Sequence, residues 1–149
     1  MGNYFGAGAC GLSVYDNYYT IYFNTSSIIG DRAEIVKVSP EIPYLIFDNE
    51  VIADTVSGDN TNIFGAPYCN TRYLRGKLPL GRTGFGVKGS LPDPAYFTAY
   101  ELERSLRESG VKIKGQSSSM RLLEMSAMSV GTDQTEICTT YSPLLSEII

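Results

Sequence analysis

Residues 85–115 read FGVKGSLPDPAYFTAYELERSLRESGVKIKG, and this stretch decides the fold. Its punctuation predicts strand, turn, helix, strand. Asp93 stands where an N-cap belongs and Pro94 at the first helical position. A missing N–H costs nothing there, because that donor has no intrahelical acceptor. Ala95, Ala99, Leu102 and Leu106 recur at helical spacing and predict one apolar face. Glu103 and Arg107 form an i,i+4 ion pair in the favourable order on the opposite side. Gly110 supplies the residue that turns left-handed after the last helical turn. Val111 and Ile113 then alternate with Lys112 and Lys114, as in a half-buried strand. If both strands lie in one sheet, the crossover is right-handed and the helix covers that sheet. Such a unit organises a core but carries no catalytic signature, so Lys88 and Ser90 read as scaffold.

Upstream, Cys10, Leu12 and Val14 alternate with small or polar residues, Asp16-Asn17 makes a turn pair, and Tyr18 to Phe23 is aromatic and β-branched. This pattern predicts a β-hairpin. Tyr18, Tyr19, Tyr22 and Phe23 could form a stacking platform for sugar or base. Aromatics are also favoured in strands with half of them facing the core, and that reading has the better claim. Thr25 to Asp31 reads as a loop and Ala33 to Val38 as a strand. Tyr44 to Phe47 and Val51 to Val56 read as two strands around an Asp48-Asn49 turn. Ser57 to Asn62 is the most polar run and reads as an exposed loop tip. Asn70 to Leu78 is a further strand. Residues 32–82 thus form a block of short strands without helical pattern, the mark of an inserted all-β subdomain. Beyond Gly115, Met120 to Met125 and Glu136 to Thr140 read as strands. Ser142 and Pro143 open a helix whose apolar face the chain does not complete, so the sequence is expected to be cut from a longer protein.

Composition narrows the chemistry. The chain has 149 residues, 43% of them hydrophobic, enough for one packed domain carrying a smaller insertion. Net charge is −4 and the twelve Lys and Arg residues are dispersed, which argues against nucleic acid and against an anionic bilayer. No run approaches the roughly 20 apolar residues of a membrane span, and no signal peptide opens the chain. Histidine is absent, which excludes internal Ser-His-Asp and Cys-His mechanisms and nearly all zinc chemistry. No cofactor or metal is expected. Cys10, Cys69 and Cys138 are far apart in sequence; three buried thiols is the simpler expectation, one disulfide with a free thiol the alternative.

Four segments together resemble one family: GACGLSVYDN (8–17), PEIPYL (40–45), VKGSLPDPAYFTAYELERSL with GVKIKG (87–115), and YSPLLSEII (141–149). It is the D-alanyl-D-alanine carboxypeptidase/endopeptidase family, the class C low-molecular-mass penicillin-binding proteins. The resemblance spans the chain but only the middle of a family member. It implies an α+β fold: a hairpin and a strand–helix–strand unit forming a small sheet with a covering helix, plus an inserted all-β subdomain. It implies an accessory α/β domain at 1–31 and 83–125, an inserted subdomain at 32–82, and a connector at 126–149 leading back to a catalytic domain. Its partners would be the rest of the parent enzyme and, by the same resemblance, peptidoglycan, in the periplasm or cell envelope.

The family acylates a serine through Ser-x-x-Lys, Ser-x-Asn and Lys-Thr-Gly. None of these is present in working form, so no catalytic residue is expected within the chain. Ser109-Gly110-Val111-Lys112 fits the first pattern but lies at a helix end, where Gly110 breaks the turn that must align the pair. Lys88-Gly89-Ser90 has the third pattern's residues shuffled. Ser57-Gly58-Asp59 mimics the second from within a loop. Asp48, Glu50 and Asp54 read as a solvated strand edge. The leading function is a non-catalytic accessory segment of a serine carboxypeptidase that acts on peptidoglycan stem peptides. A second is a free-standing envelope module that holds glycan, peptide or a partner protein on the tyrosine-rich hairpin, or on Tyr68, Arg72, Tyr73 and Arg75. A third, an enzyme in its own right, would need acylation of Ser109 or Ser90.

Overall fold

The computed structural model describes residues 2–126, 139 and 141. The chain divides into two compact units, 1–118 and 119–149. The first is a mixed α+β unit of two three-stranded sheets and one main helix.

The first sheet has the order β2-β1-β6, with β1 Tyr18–Asn24, β2 Glu34–Ser39 and β6 Phe85–Ser90, all antiparallel. The second has the order β3-β5-β4, with β3 Ile46–Asp54, β4 Asn60–Phe64 and β5 Thr71–Pro79. In it β3 runs parallel to β5, and β4 supplies the return strand. One core serves both sheets. It includes Tyr19, Ile21 and Phe23 from β1, Val51 from β3, Ile63 from β4, and Leu74 and Leu78 from β5.

Two short segments join the sheets. On one side the Gly2 N–H donates to Ile63 O at 2.8 Å, the Ser90 N–H donates to Gly2 O at 2.7 Å, and Asn3 bridges to Gly89. The Asn3 amide accepts from Ile63 N and donates to Thr61 O, replacing a strand's ladder bonds with one side chain. On the other side Ala33 N donates to Val51 O and Ala53 N to Asp31 O, just before β2 begins. Backbone pairing therefore runs in a ring around the core, which protects the sheet edges where Gly2–Asn3 and 31–33 lie.

Helix α1 spans Pro94–Glu108 as its punctuation predicts. The Asp93 carboxylate accepts from Tyr96 N at 3.0 Å. At the other end Gly110 has φ +86°, Gly110 N donates to Arg107 O, and Val111 N donates to Leu106 O, a Schellman closure. The buried face is not the aliphatic stripe. Phe97 and Glu101 are buried, whereas Leu102 is 60% and Leu106 37% exposed. The helix packs through aromatics: Tyr44 against Tyr96 and Tyr100, and Tyr15 against Phe97, with centroids 5.1–6.1 Å apart. Rings of this area outweigh alanine and leucine in choosing the packed face.

Four further expectations are corrected. No hairpin forms from 10–14: Tyr15, Asp16 and Asn17 take positive φ as a turn, but β1 pairs with β2 and β6 instead. The Asn17 side chain binds Gly8 O and Ser13 Oγ and holds the preceding loop without a ladder. Residues 111–114 form no strand, since Gly2–Asn3 occupies the Gly89–Ser90 edge they would have joined; the chain folds back along α1, where Arg107 Nη2 donates to Gly115 O and Ser117 N to the Glu103 carboxylate. Asp48-Asn49 makes no turn but lies within the continuous β3, its turn chemistry overridden by nine paired positions with β5. Residues 34–39, read as part of the inserted block, lie in the first sheet beside β1.

In the second unit, Met120–Met125 is a helix, α2, where a strand was expected. Met, Arg, Leu and Glu are strong helix formers, and Ser119 stands at the N-cap position. The strand expected at 136–140 and the helix expected from Ser142 lie outside the described residues, Thr139 apart. So does Cys138. Cys10 is half-buried and Cys69 exposed, and both are free thiols, so these two are not the buried cysteines expected.

Candidate functional site

Strand alternation sorts the aromatic run of β1. Tyr19, Ile21 and Phe23 point inward and are fully buried; Tyr18, Thr20 and Tyr22 lie on the outer face. Antiparallel register sets their neighbours. Tyr22 stands between Lys37 and Gly86, Thr20 between Ser39 and Lys88, and Tyr18 beside Ser90. Lys88 Nζ lies 4.6 Å from the Tyr18 ring centroid and donates to its hydroxyl at 3.4 Å; the Tyr4 ring is 5.9 Å away. Lys37 Nζ lies 5.8 Å from the Tyr22 centroid. Neither lysine has a carboxylate within ion-pair distance among the described residues.

Two hollows open on this face. One, of about 210 Å³, is lined by Tyr15, Asp16, Tyr18, Thr20, Tyr22 and Ser39. The other, of about 400 Å³, is lined by Tyr4, Phe5 and Lys88 together with Asp59, Asn60 and Asn62. The Tyr18–Lys88 contact joins them.

The second sheet treats its charges differently. Arg75 pairs with Glu50 at 2.9 Å and Asp48 at 3.4 Å, and Lys77 with Asp54 at 2.6 Å. Hydrogen bonds from Lys77 and from Thr55 hold the Asp54 carboxyl below the usual range. Tyr68, Arg72, Tyr73 and Arg75 do not converge on a site. Arg75 and Tyr73 lie outside, while Arg72 points inward, 2% exposed, and donates to Ala66 O at 3.1 Å. Its guanidinium lies where a Cβ on Gly65 would stand, so any larger residue there would have to push the Arg72 side chain aside. Burial pushes the neighbouring Tyr19 hydroxyl up to about 12, against the opposite pull of Arg72.

The serine–lysine patterns fall apart in space. Ser109 caps the end of α1 with its Oγ donating to Ser105 O, and Gly110 turns the chain away before exposed Lys112. Lys88 is exposed, while Ser90 is buried and its N–H is taken by Gly2 O. Ser57 and Asp59 flank a turn in which Asp59 accepts from Thr61 N at 2.8 Å. Sequence reasoning named Tyr18 and Tyr22, read Lys88 as scaffold, and did not single out Lys37 or Tyr4. Strand parity put Lys88 on one face, but only the register brings it beside Tyr18.

No family model matches the chain, and no curated protein matches it. Among solved structures there is a match. The fold resembles a segment of penicillin binding protein 4. One crystal structure of penicillin binding protein 4 (dacB) from Haemophilus influenzae superposes with a TM-score of 0.58 at 16% identity, covering 78% of this chain and 26% of that one. A second, of that protein complexed with a novel beta-lactam, gives 0.55 at 16% identity, with 75% and 26% covered. The likeness is one of fold, and this chain spans about a quarter of that protein's length. No helix among the described residues is long and apolar enough to cross a membrane.

Proposed function

We propose that this chain is a non-catalytic accessory segment of a periplasmic serine D-alanyl-D-alanine carboxypeptidase/endopeptidase. The carrying observation is the shared fold with 26% of a penicillin binding protein 4 chain, over 78% of this one. The sequence blocks at 87–115 and 141–149 point the same way. In this reading 1–31 and 83–125 build the accessory domain, and 32–82 is inserted in it, lending β2 to its sheet. The acyl-enzyme forms on a serine outside residues 1–149, and the segment shapes the approach to that serine or contacts peptidoglycan.

Two measurements test this. The flanking coding sequence should carry Ser-x-x-Lys upstream of residue 1 and Ser-x-Asn just past residue 149; a stop codon after Ile149 sinks the reading. A fluorescent penicillin should label the parent polypeptide outside this segment. An adduct on Ser109 or Ser90, located by mass spectrometry, would overturn it.

A further inference from the structure

We propose that the outer face of the first sheet binds a carboxylate-bearing glycan. Taking that glycan to be the peptide-substituted strand of peptidoglycan rests on the function proposed above; the site itself does not.

The argument begins with charge. The chain carries a net charge of −4, yet Lys37 and Lys88 share a face that spends no carboxylate on either. Tyrosine rings hold both ammonium groups instead. At an exposed site that hold is weak, and an ammonium released to a ligand carboxylate frees the ring it covered. Tyr18 and Tyr22 lie four residues apart on one strand with Thr20 between them, an even separation, so their rings project from the same side. Gly86, without a side chain, makes room for the Tyr22 ring and the Thr20 methyl, which lie 3.2–3.7 Å from where its Cβ would stand. A ring with an apolar face and a polar rim suits a sugar, whose C–H face stacks while its hydroxyls bond outward. Thr20, Ser39 and the Asn60 and Asn62 amides supply those partners along the two hollows. Asp16 in one hollow and Asp59 in the other accept from hydroxyls.

Charge density decides against nucleic acid. A strand with a phosphate at every residue needs a track of cations, and this face offers two. An occasional carboxylate on an otherwise neutral polymer matches two lysines.

Calorimetric titration at low salt, with the chain and three probes, tests this: a disaccharide-tetrapeptide muropeptide, neutral chitotetraose, and an oligothymidylate. Both sugars should bind. Tyr18→Ala and Tyr22→Ala should each weaken both by roughly ten-fold, while Tyr18→Phe keeps the platform and most of the affinity. Lys88→Met should weaken the muropeptide by a similar factor and leave chitotetraose unchanged. Should an alanine variant fail to fold, the contrast between probes for Lys88→Met and Lys37→Met still decides. No heat with either sugar, indifference to both tyrosines, or preference for the oligothymidylate overturns the site. Sugar binding with a stop codon after Ile149 would keep the groove and remove the parent enzyme. Flanking motifs without sugar binding would do the reverse.

Discussion

The two sheets bury their inner faces in one core but differ on their outer faces. In the second sheet Arg75 and Lys77 meet Asp48, Glu50 and Asp54 across the parallel pair, and both cations are neutralised. In the first, Lys37 and Lys88 lie on tyrosines without a carboxylate, and the one acidic residue in register, Glu34, stands at the far end opposite Asn24. A face that satisfies its own charges has nothing left to offer a ligand. Arg75 also lies over a ring, that of Tyr73, but it is paired; a cation held by a ring with no carboxylate beside it keeps its binding capacity. The contrast distinguishes scaffold from site without any catalytic motif.

The largest effect should come from attacking what the two faces share. Leu74, fully buried on the central strand of the second sheet, touches the common core. Leu74→Ala should cost about 2–5 kcal/mol and disturb both sheets together. Thermal unfolding followed by tyrosine fluorescence and far-UV dichroism should give one coincident transition. Two separate transitions would mean that the faces belong to independent folding units, and the comparison would lose its footing.

Alkaline pH should strike next. The Tyr19 hydroxyl, pushed up to about 12 by burial, stays protonated in the fold after the unfolded chain's tyrosine ionises near 10. Below pH 10 both states hold the proton and stability is level. Between pH 10 and 12 the folded state holds more protons, so stability falls as pH rises, by about 1.4 kcal/mol per unit at most for one such group. Tyr44, raised further in the same direction by burial and by its tyrosine and acidic neighbours, adds to the slope. Urea titrations at pH 9, 10 and 11 should show the decline, and Tyr19→Phe should flatten it. An unchanged slope in that variant would refute the assignment.

Charge removal should sharpen the contrast at smaller scale. Arg75→Met breaks the pairs to Asp48 and Glu50 and should cost less than about 1 kcal/mol. Lys88→Met breaks exposed ring contacts and one long hydrogen bond to the Tyr18 hydroxyl, and should leave the urea midpoint nearly where it was. A larger loss for Lys88→Met than for Arg75→Met would make the first face structural.

Local chemistry was legible and long-range choice was not. The Asp93 cap, Pro94 and Gly110 define α1 because capping involves only neighbours in the chain. The alternation of β1 shows which tyrosines face out. What stayed hidden depended on register and on competition for edges. Nothing local says that Gly2–Asn3 will occupy the edge that Val111–Lys114 would need, or that β5 will straighten Asp48-Asn49 into a strand. The helix face was misread because spacing counts apolar residues equally, while packing weighs them by area, and Phe97 with Tyr100 exceeds two alanines. The lysines of the candidate site lie far apart in sequence and meet β1 only through pairing.

The smallest expected effect concerns charges that neither cover a sheet nor remain bare. Glu103 accepts from Arg107 at 2.8 Å and from the backbone of Ser117, so its carboxyl titrates below the usual range. A depressed value means that the tether is present above the ordinary carboxylate range and lost as pH falls through the lowered one. Glu103→Gln should therefore speed hydrogen exchange at the Ser117 amide at pH 7 while leaving the melting temperature nearly unmoved. Wild-type exchange there, corrected for its intrinsic pH dependence, should rise toward the variant's only at acid pH. If the variant instead melts early, or exchanges no faster, the 111–118 segment is held by something other than this pair. The helix would then need a different account of why its charged face, unlike the outer face of the second sheet, is built to hold a strap.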